Sequence, residues 1–307
     1  MNIRPEVVAV VGPTACGKTR RAVQIATALD GEIISGDSRQ VYRGMDIGTG
    51  KDLVEYGDIP FHLIDIADAG EKYNLHRFLH DFRNVQEDVV ARGKLPVLCG
   101  GTGMYVEAAL SGLVMPEVER NDQLRESLSS KTLEELTQIL RGYKDLHNTT
   151  DVDTRDRALR AIEICRYYAE HPDEAANADR TMAKPVDSLV IGIDIPRDER
   201  RRKISSRLDA RLEEGLINEV RCLIESGVKP EDLIYYGLEY KFVTLHVIGQ
   251  LGLTEMKRQL EIAIHQFAKR QMTWFRGMER RGFSIHWLPY DMDDDDFITS
   301  VRKLLNQ

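Results

Sequence analysis

The segment Gly12-Pro13-Thr14-Ala15-Cys16-Gly17-Lys18-Thr19 has the G-x4-GK[ST] spacing of a phosphate-binding loop. In such a loop, backbone amides curl round an anion at a helix N-terminus. Lys18 adds a point charge, and the Thr19 hydroxyl is placed to ligand Mg²⁺. The motif leaves open whether the anion is a triphosphate or a diphosphate. Two further segments carry chemistry. Asp37-Ser38-Arg39-Gln40 follows a strand-like run, where a doubly wound fold turns side chains toward its ligand crevice. Gly100-Gly-Thr102-Gly follows another strand-like run and is a glycine-rich turn with one hydroxyl. Asp37 read alone is equally a turn or cap residue.

These segments need a scaffold, and the surrounding pattern supplies one. The first third alternates strand and helix signals. Val7–Val11 reads as a buried strand, Lys18–Leu29 as a helix, and Glu32–Ser35 and Phe61–Ile66 as strands. Leu75–Arg92 carries apolar residues at helical spacing, and Pro96–Cys99 reads as a strand. Residues 117–183 are polar and helical without a strand candidate, after which Ser188–Ile195 resumes the sheet pattern. A basic helix follows Pro196, more helices run to Arg281, and Phe283–Leu288 reads as a last strand. The expected architecture is α/β: a P-loop NTPase-like parallel sheet with helices on both faces and an inserted all-helical domain. Its parts are residues 1–116, the insert 117–183, and 184–307 with basic C-terminal helices.

Composition bounds the function. At 307 residues, 42% apolar and 30% charged, the chain has the make-up of a globular protein. No apolar run approaches the ~20 residues of a membrane span. Four cysteines without a CxxC pair fit neither a zinc site nor a disulfide framework, and a cytoplasmic location is expected. The net charge of −8 hides local excesses. Seven basic residues face three acidic ones between Pro196 and Arg211, and five face one between Lys269 and Arg281. Basic surfaces for nucleic acid are therefore available. Asp291–Asp296, with five aspartates, reads as the acidic first turn of the last helix. His76 and His80 share a helical face but have no completing ligand and read as surface histidines. Cys16, beside Lys18, is expected to be a neutral thiol.

Taken in order, the segments GPTACGKT, DSRQVYRGMDIGTGK, HLIDI, PVLCGGTGMYVEAAL and QFAKRQMTWFR span almost the whole chain and resemble the tRNA dimethylallyltransferases, also called tRNA isopentenyltransferases. The resemblance implies transfer of a dimethylallyl group from dimethylallyl diphosphate to the exocyclic N6 amine of the adenosine 3′-adjacent to the anticodon of tRNA, at position 37, with Mg²⁺ as cofactor. It makes Asp37 the general base and places Lys18, Thr19, Thr102 and Arg207 in the catalytic set, with Arg197 and Lys203 as further phosphate-binding candidates on the basic helix. It assigns tRNA contacts to Asp37, Ser38, Arg39, Gln40 and Thr102, to Asp156, Arg157 and Arg160 of the insert, and to Gly237, Tyr240 and Lys241. The last three lie in Tyr-Tyr-Gly-Leu-Glu-Tyr-Lys, where many members have a Gln-Ala-Ile-Gly-Tyr-Lys-Glu type segment. A monomer acting on the anticodon arm, without a membrane partner, is expected. The rival readings are a P-loop kinase, prenyl transfer to a free adenine nucleotide, and an RNA-binding regulator with a vestigial nucleotide site. Asp65 and Glu239 stand behind Asp37 as alternative bases.

Overall fold

The computed structural model describes residues 5–115, 118–146, 150–173 and 184–306. The chain forms two compact units, Met1–Ser111 with Pro185–Gln307, and Gly112–Lys184. The domain boundaries expected after residues 116 and 183 fall on residues outside the described ones.

The larger unit is built on six parallel strands: β1 (Val7–Val11), β2 (Gly31–Ser35), β3 (Phe61–His62), β4 (Leu95–Gly100), β5 (Ser188–Asp194) and β6 (Ile285–Pro289). Their order across the sheet is β3-β2-β4-β1-β5-β6. The register pairs Val8 with Val97 on one side and with Leu189 on the other. All five residues of β1 are buried, as a central strand covered on both faces requires. Helix α1 (Lys18–Leu29) and the last helix of the chain (Asp294–Leu305) cover one face, where Ile25, Ala26, Phe297 and Val301 meet Val8, Val97 and Ile191. Helices α2 (Leu75–Ala91) and α3 (Gly103–Leu110) cover the other, with Phe78 stacked on Tyr105 at 4.4 Å between ring centroids.

Two strands depart from expectation by two residues or more at one end. The strand read over Phe61–Ile66 stops at His62, because Leu63 and Asp65 take left-handed φ values of 61° and 55° that a ladder cannot hold. The last strand starts at Ile285 rather than Phe283.

The smaller unit is helical among its described residues: α4 (Asp122–Ser127), α5 (Leu133–Arg141) and α6 (Arg155–Glu170). Thr132 and Glu135 form a capping box at the start of α5, and Leu136, Leu140, Leu159 and Ile162 make a separate small core. Buried Glu163 accepts from the Asn121 amide and from Arg125. Burial pushes its carboxyl up, but these partners outweigh it and hold it below the usual range.

The larger unit continues with α7 (Arg197–Glu214), α8 (Leu216–Glu225), α9 (Pro230–Tyr236), α10 (Leu238–Val247), the long α11 (Leu253–Arg280) and α12 (Asp294–Leu305). Asp293 caps α12, and Asp294 pairs with Arg20 and Arg21 of α1. The aspartate run is thus the acidic start of a helix that locks onto α1. No helix among the described residues is long and apolar enough to cross a membrane.

Candidate active site

Because β2, β4 and β1 are adjacent, the loops leaving their carboxyl ends converge on a single cavity of about 600 Å³. The β1 loop brings Thr14, Lys18 and Thr19, the β2 loop brings Asp37 to Gln40, and the β4 loop brings Gly100 to Thr102. Among the described residues, every lining residue belongs to the larger unit.

The phosphate loop is shaped by backbone geometry. Ala15 and Gly17 have φ of 63° and 84°, so the chain curls and its amides turn inward ahead of α1. Gly12 carries no side chain for a local reason: a Cβ there would stand 2.9 Å from Cys16 Sγ and 3.2 Å from the Ile193 carbonyl. Cys16 is buried, and burial pushes its thiol up despite nearby Lys18, so it is a neutral packing residue. Lys18 Nζ donates to the Pro13 carbonyl at 2.9 Å, which keeps the ammonium over the loop.

Asp37 and Thr102 are brought together by an interlocked turn. Asp37 Oδ1 accepts the Arg39 amide at 2.9 Å, and the Ser38 amide donates to Thr102 Oγ1 at 3.2 Å. Asp37 does form a turn, yet among the described residues only Oδ1 has a hydrogen-bond donor, and the half-buried carboxylate lines the cavity. Ser35 Oγ donates to Gln40 Oε1, whose amide group donates to the Gly50 carbonyl, tying the β2 loop to the next segment. Arg39 lies 5.3 Å over the ring of Tyr236.

Three residues that motif reading passed over hold this frame. Gln271 on α11 accepts the Thr14 amide and donates to the Gly101 carbonyl, both at 2.8 Å, joining the phosphate loop to the GGTG turn. Glu219 on α8 accepts three backbone amides, Asp46, Ile47 and Gly48, and also the Tyr240 hydroxyl. Arg211 is buried beside Gly48 and Glu239. Gln271 lies inside the QMTWFR motif and was findable there; Glu219 and Arg211 had no local signal.

The other expected residues divide. Arg207 lines the cavity, while Lys203 sits 4.5 Å over the Tyr290 ring and, like Arg197, is not among the lining residues. Gly237 and Lys241 line it as well. Tyr240 lines it too, largely buried, with its hydroxyl donating to Glu219. Asp65 is bound to buried Lys51, which also holds Asp46 and the Tyr42 carbonyl, and it does not reach the cavity as an alternative base. Glu239 reaches it, but faces Arg211 at 3.5 Å. Within the insert, Asp156 is exposed and loosely paired with Arg125, and Arg157 is exposed and paired with Asp153. Arg160 is spent on the Val118 carbonyl and Glu163.

A parallel P-loop sheet with an acid, a hydroxyl and several cations at one crevice has the make-up of a site that can hold a phosphorylated ligand. The family model for IPP transferase matches residues 40–278, and that for isopentenyl transferase matches residues 5–56. The chain is 58% identical to tRNA dimethylallyltransferase 1 of Parabacteroides distasonis, over 98% of each chain. It is 56% identical to tRNA dimethylallyltransferase 2 of Porphyromonas gingivalis, over 97% of this chain and 98% of the other. Among solved structures, the tRNA isopentenylpyrophosphate transferase of Bacillus halodurans superposes with a TM-score of 0.70 at 31% identity, over 97% of this chain and 95% of that one. A eukaryotic dimethylallyltransferase described as acting on tRNA reaches 0.81 at 25% identity, over 97% and 77%. The chain belongs to the tRNA dimethylallyltransferase family and is an enzyme of the prenyltransferase class.

Proposed function

We propose that the protein transfers a dimethylallyl group from dimethylallyl diphosphate to the N6 amine of the adenosine at tRNA position 37, releasing diphosphate. The observation that carries this reading is the convergence, in one cavity, of Asp37 and Thr102 with Lys18, Thr19 and Arg207. An aromatic amine is a weak nucleophile and must lose a proton as its bond to carbon forms. Asp37 takes that proton, held in orientation by the Arg39 amide. The allylic carbon–oxygen bond breaks, and charge builds on diphosphate oxygens facing the loop amides, Lys18 and Arg207. Thr102, held by the Ser38 amide, hydrogen-bonds the adenosine in this reading.

A magnesium ion suits this donor set. Among the described residues no group of three His, Cys, Asp or Glu forms a dedicated metal cage. Mg²⁺ in phosphoryl sites needs only one or two protein oxygens, the substrate and water supplying the rest. The Thr19 hydroxyl would hold it, and the ion would offset charge on the leaving diphosphate.

The helical unit is assigned to the anticodon arm, with Arg157 as an exposed cation on α6. Reaching a base in a folded loop requires splaying it out, and Arg39 on Tyr236 offers a platform for the exposed base. The protein acts as a cytoplasmic monomer. The test is mass spectrometry of nucleosides from unmodified tRNA incubated with the protein, Mg²⁺ and dimethylallyl diphosphate. A dimethylallyl mass increment on adenosine supports the reading; unchanged adenosine, with phosphate transfer from ATP to a metabolite, refutes it.

A further inference from the structure

Arg211 is an arginine that the motifs do not mark and that ordinary packing does not explain. It is buried, 8% exposed, yet its Nη2 has no hydrogen-bond partner among the described residues. A buried guanidinium nitrogen without an acceptor is costly, and such a group in a cavity wall signals a ligand. Its Nη1 donates to the Gly48 carbonyl at 3.2 Å and meets Glu239 only at 3.5 Å.

The unpartnered nitrogen does not stand alone. A Cβ built on Gly50 would lie 1.7 Å from Arg211 Nη2 and 2.1 Å from Arg207 Nη2, so two guanidinium tips crowd over the same glycine. Gly50 has φ of 61° and is buried, so it serves both the turn and this close approach. Arg207 has Asp52 as its counter-charge at 2.9 Å. Two cations side by side repel unless an anion lies between them. Burial, and then Arg207, push the Arg211 guanidinium below its usual range, which marks the same unmet need. Both arginines also line a small second cavity together with Thr14 and Ala15 of the phosphate loop.

Building on the diphosphate reading above, we propose that Arg211 is a second arginine of the diphosphate site: its Nη2 and Arg207 together grip the terminal phosphate from the side opposite the loop. Glu239 steadies Arg211 from behind.

The test uses the full chain and inorganic diphosphate with Mg²⁺, titrated by calorimetry, alongside steady-state kinetics with dimethylallyl diphosphate and tRNA. Arg211→Met keeps length and removes the charge. A lost charged hydrogen bond weakens diphosphate binding by about 10- to 100-fold. KM for dimethylallyl diphosphate rises in step, while KM for tRNA stays near that of the unaltered protein. Arg211→Lys, which retains charge without the fork, should fall between the two and serves if the Met variant does not fold. Diphosphate affinity equal to the unaltered protein in either folded variant overturns the proposal, as does an equal rise in both KM values, which is the mark of a structural role. Failure of the unaltered protein to bind diphosphate or prenylate tRNA instead overturns the underlying reading.

Discussion

Replacing Gln271 with Leu should loosen the phosphate loop and the GGTG turn together. The side chain makes two bonds of 2.8 Å, one to the Thr14 amide and one to the Gly101 carbonyl. Leu fills similar volume and offers neither. The Gly101 end is enclosed, so its carbonyl loses its donor outright, while the Thr14 amide is half-buried and recovers part of its loss from water. At ~1–3 kcal/mol for an enclosed group and ~1 for a half-buried one, the cost is roughly 2–4 kcal/mol. Spread over a core of this size, that lowers Tm by roughly 5–10 °C. Scanning calorimetry measures the shift, and kcat/KM for dimethylallyl diphosphate should fall by at least tenfold as the amides lose register. Gly101→Ala provides an independent route to the same fault, because its Cβ would stand 2.4 Å from Gln271 Nε2 and push that group off the carbonyl. Wild-type Tm and KM in both variants would refute the claim that this bridge holds the site.

The remaining predictions concern the base, the insert and pH. Asp37→Asn keeps shape but not proton affinity, so single-turnover prenylation should drop by roughly 10² to 10⁴ with little change in tRNA or diphosphate affinity; near-normal rates would reduce Asp37 to a turn residue. Arg157→Ala should weaken tRNA binding and shallow its salt dependence without moving Tm, as filter binding across a salt series reads. Arg160→Ala should instead destabilise the insert, since Arg160 holds the Val118 carbonyl and Glu163. Glu32 is held below its usual range: burial pushes it up, but hydrogen bonds from Arg92 and His62 prevail. Its stabilisation is present above the unfolded carboxylate pKa and disappears as pH falls through the depressed folded value. Glu32→Gln should therefore lower Tm at neutral pH, and the gap to the unaltered protein should close in acid.

Much of the site was legible because phosphate and proton chemistry need particular side chains at fixed offsets. The G-x4-GK[ST] spacing and the Asp37 segment carry that need in consecutive residues, and α1 and β1 appear where their periodicity places them. What holds the loops in place was not legible, since it depends on the sheet order. Nothing local reveals that β4 inserts between β2 and β1, and only that insertion brings Thr102 to Ser38. Glu219 and Arg211 sit on helices where charge ordinarily means a solvated face. Their roles emerge only when Gly48 and Gly50, far away in sequence, pack beneath them. The bond from the Tyr240 hydroxyl to Glu219 was hidden for the same reason, because its partner lies on another helix. The over-long third strand failed on backbone strain at Leu63 and Asp65 that apolar pattern does not report.

The charge balance of the cavity ties these observations to the reaction. The chain carries a net charge of −8, yet the cavity is lined by Lys18, Arg39, Arg207, Arg211, Lys241 and Arg270 against only Asp37 and Glu239. A positive pocket in a negative protein concentrates anions at one place and repels them elsewhere, which suits both a diphosphate and an RNA backbone. Of the two carboxylates, Glu239 is opposed by Arg211, whereas Asp37 is held by a neutral backbone amide. Asp37 therefore has an oxygen with no cation of its own to satisfy among the described residues, which is why the proposed reaction passes the amine proton to it while the surrounding arginines and lysines receive the departing diphosphate.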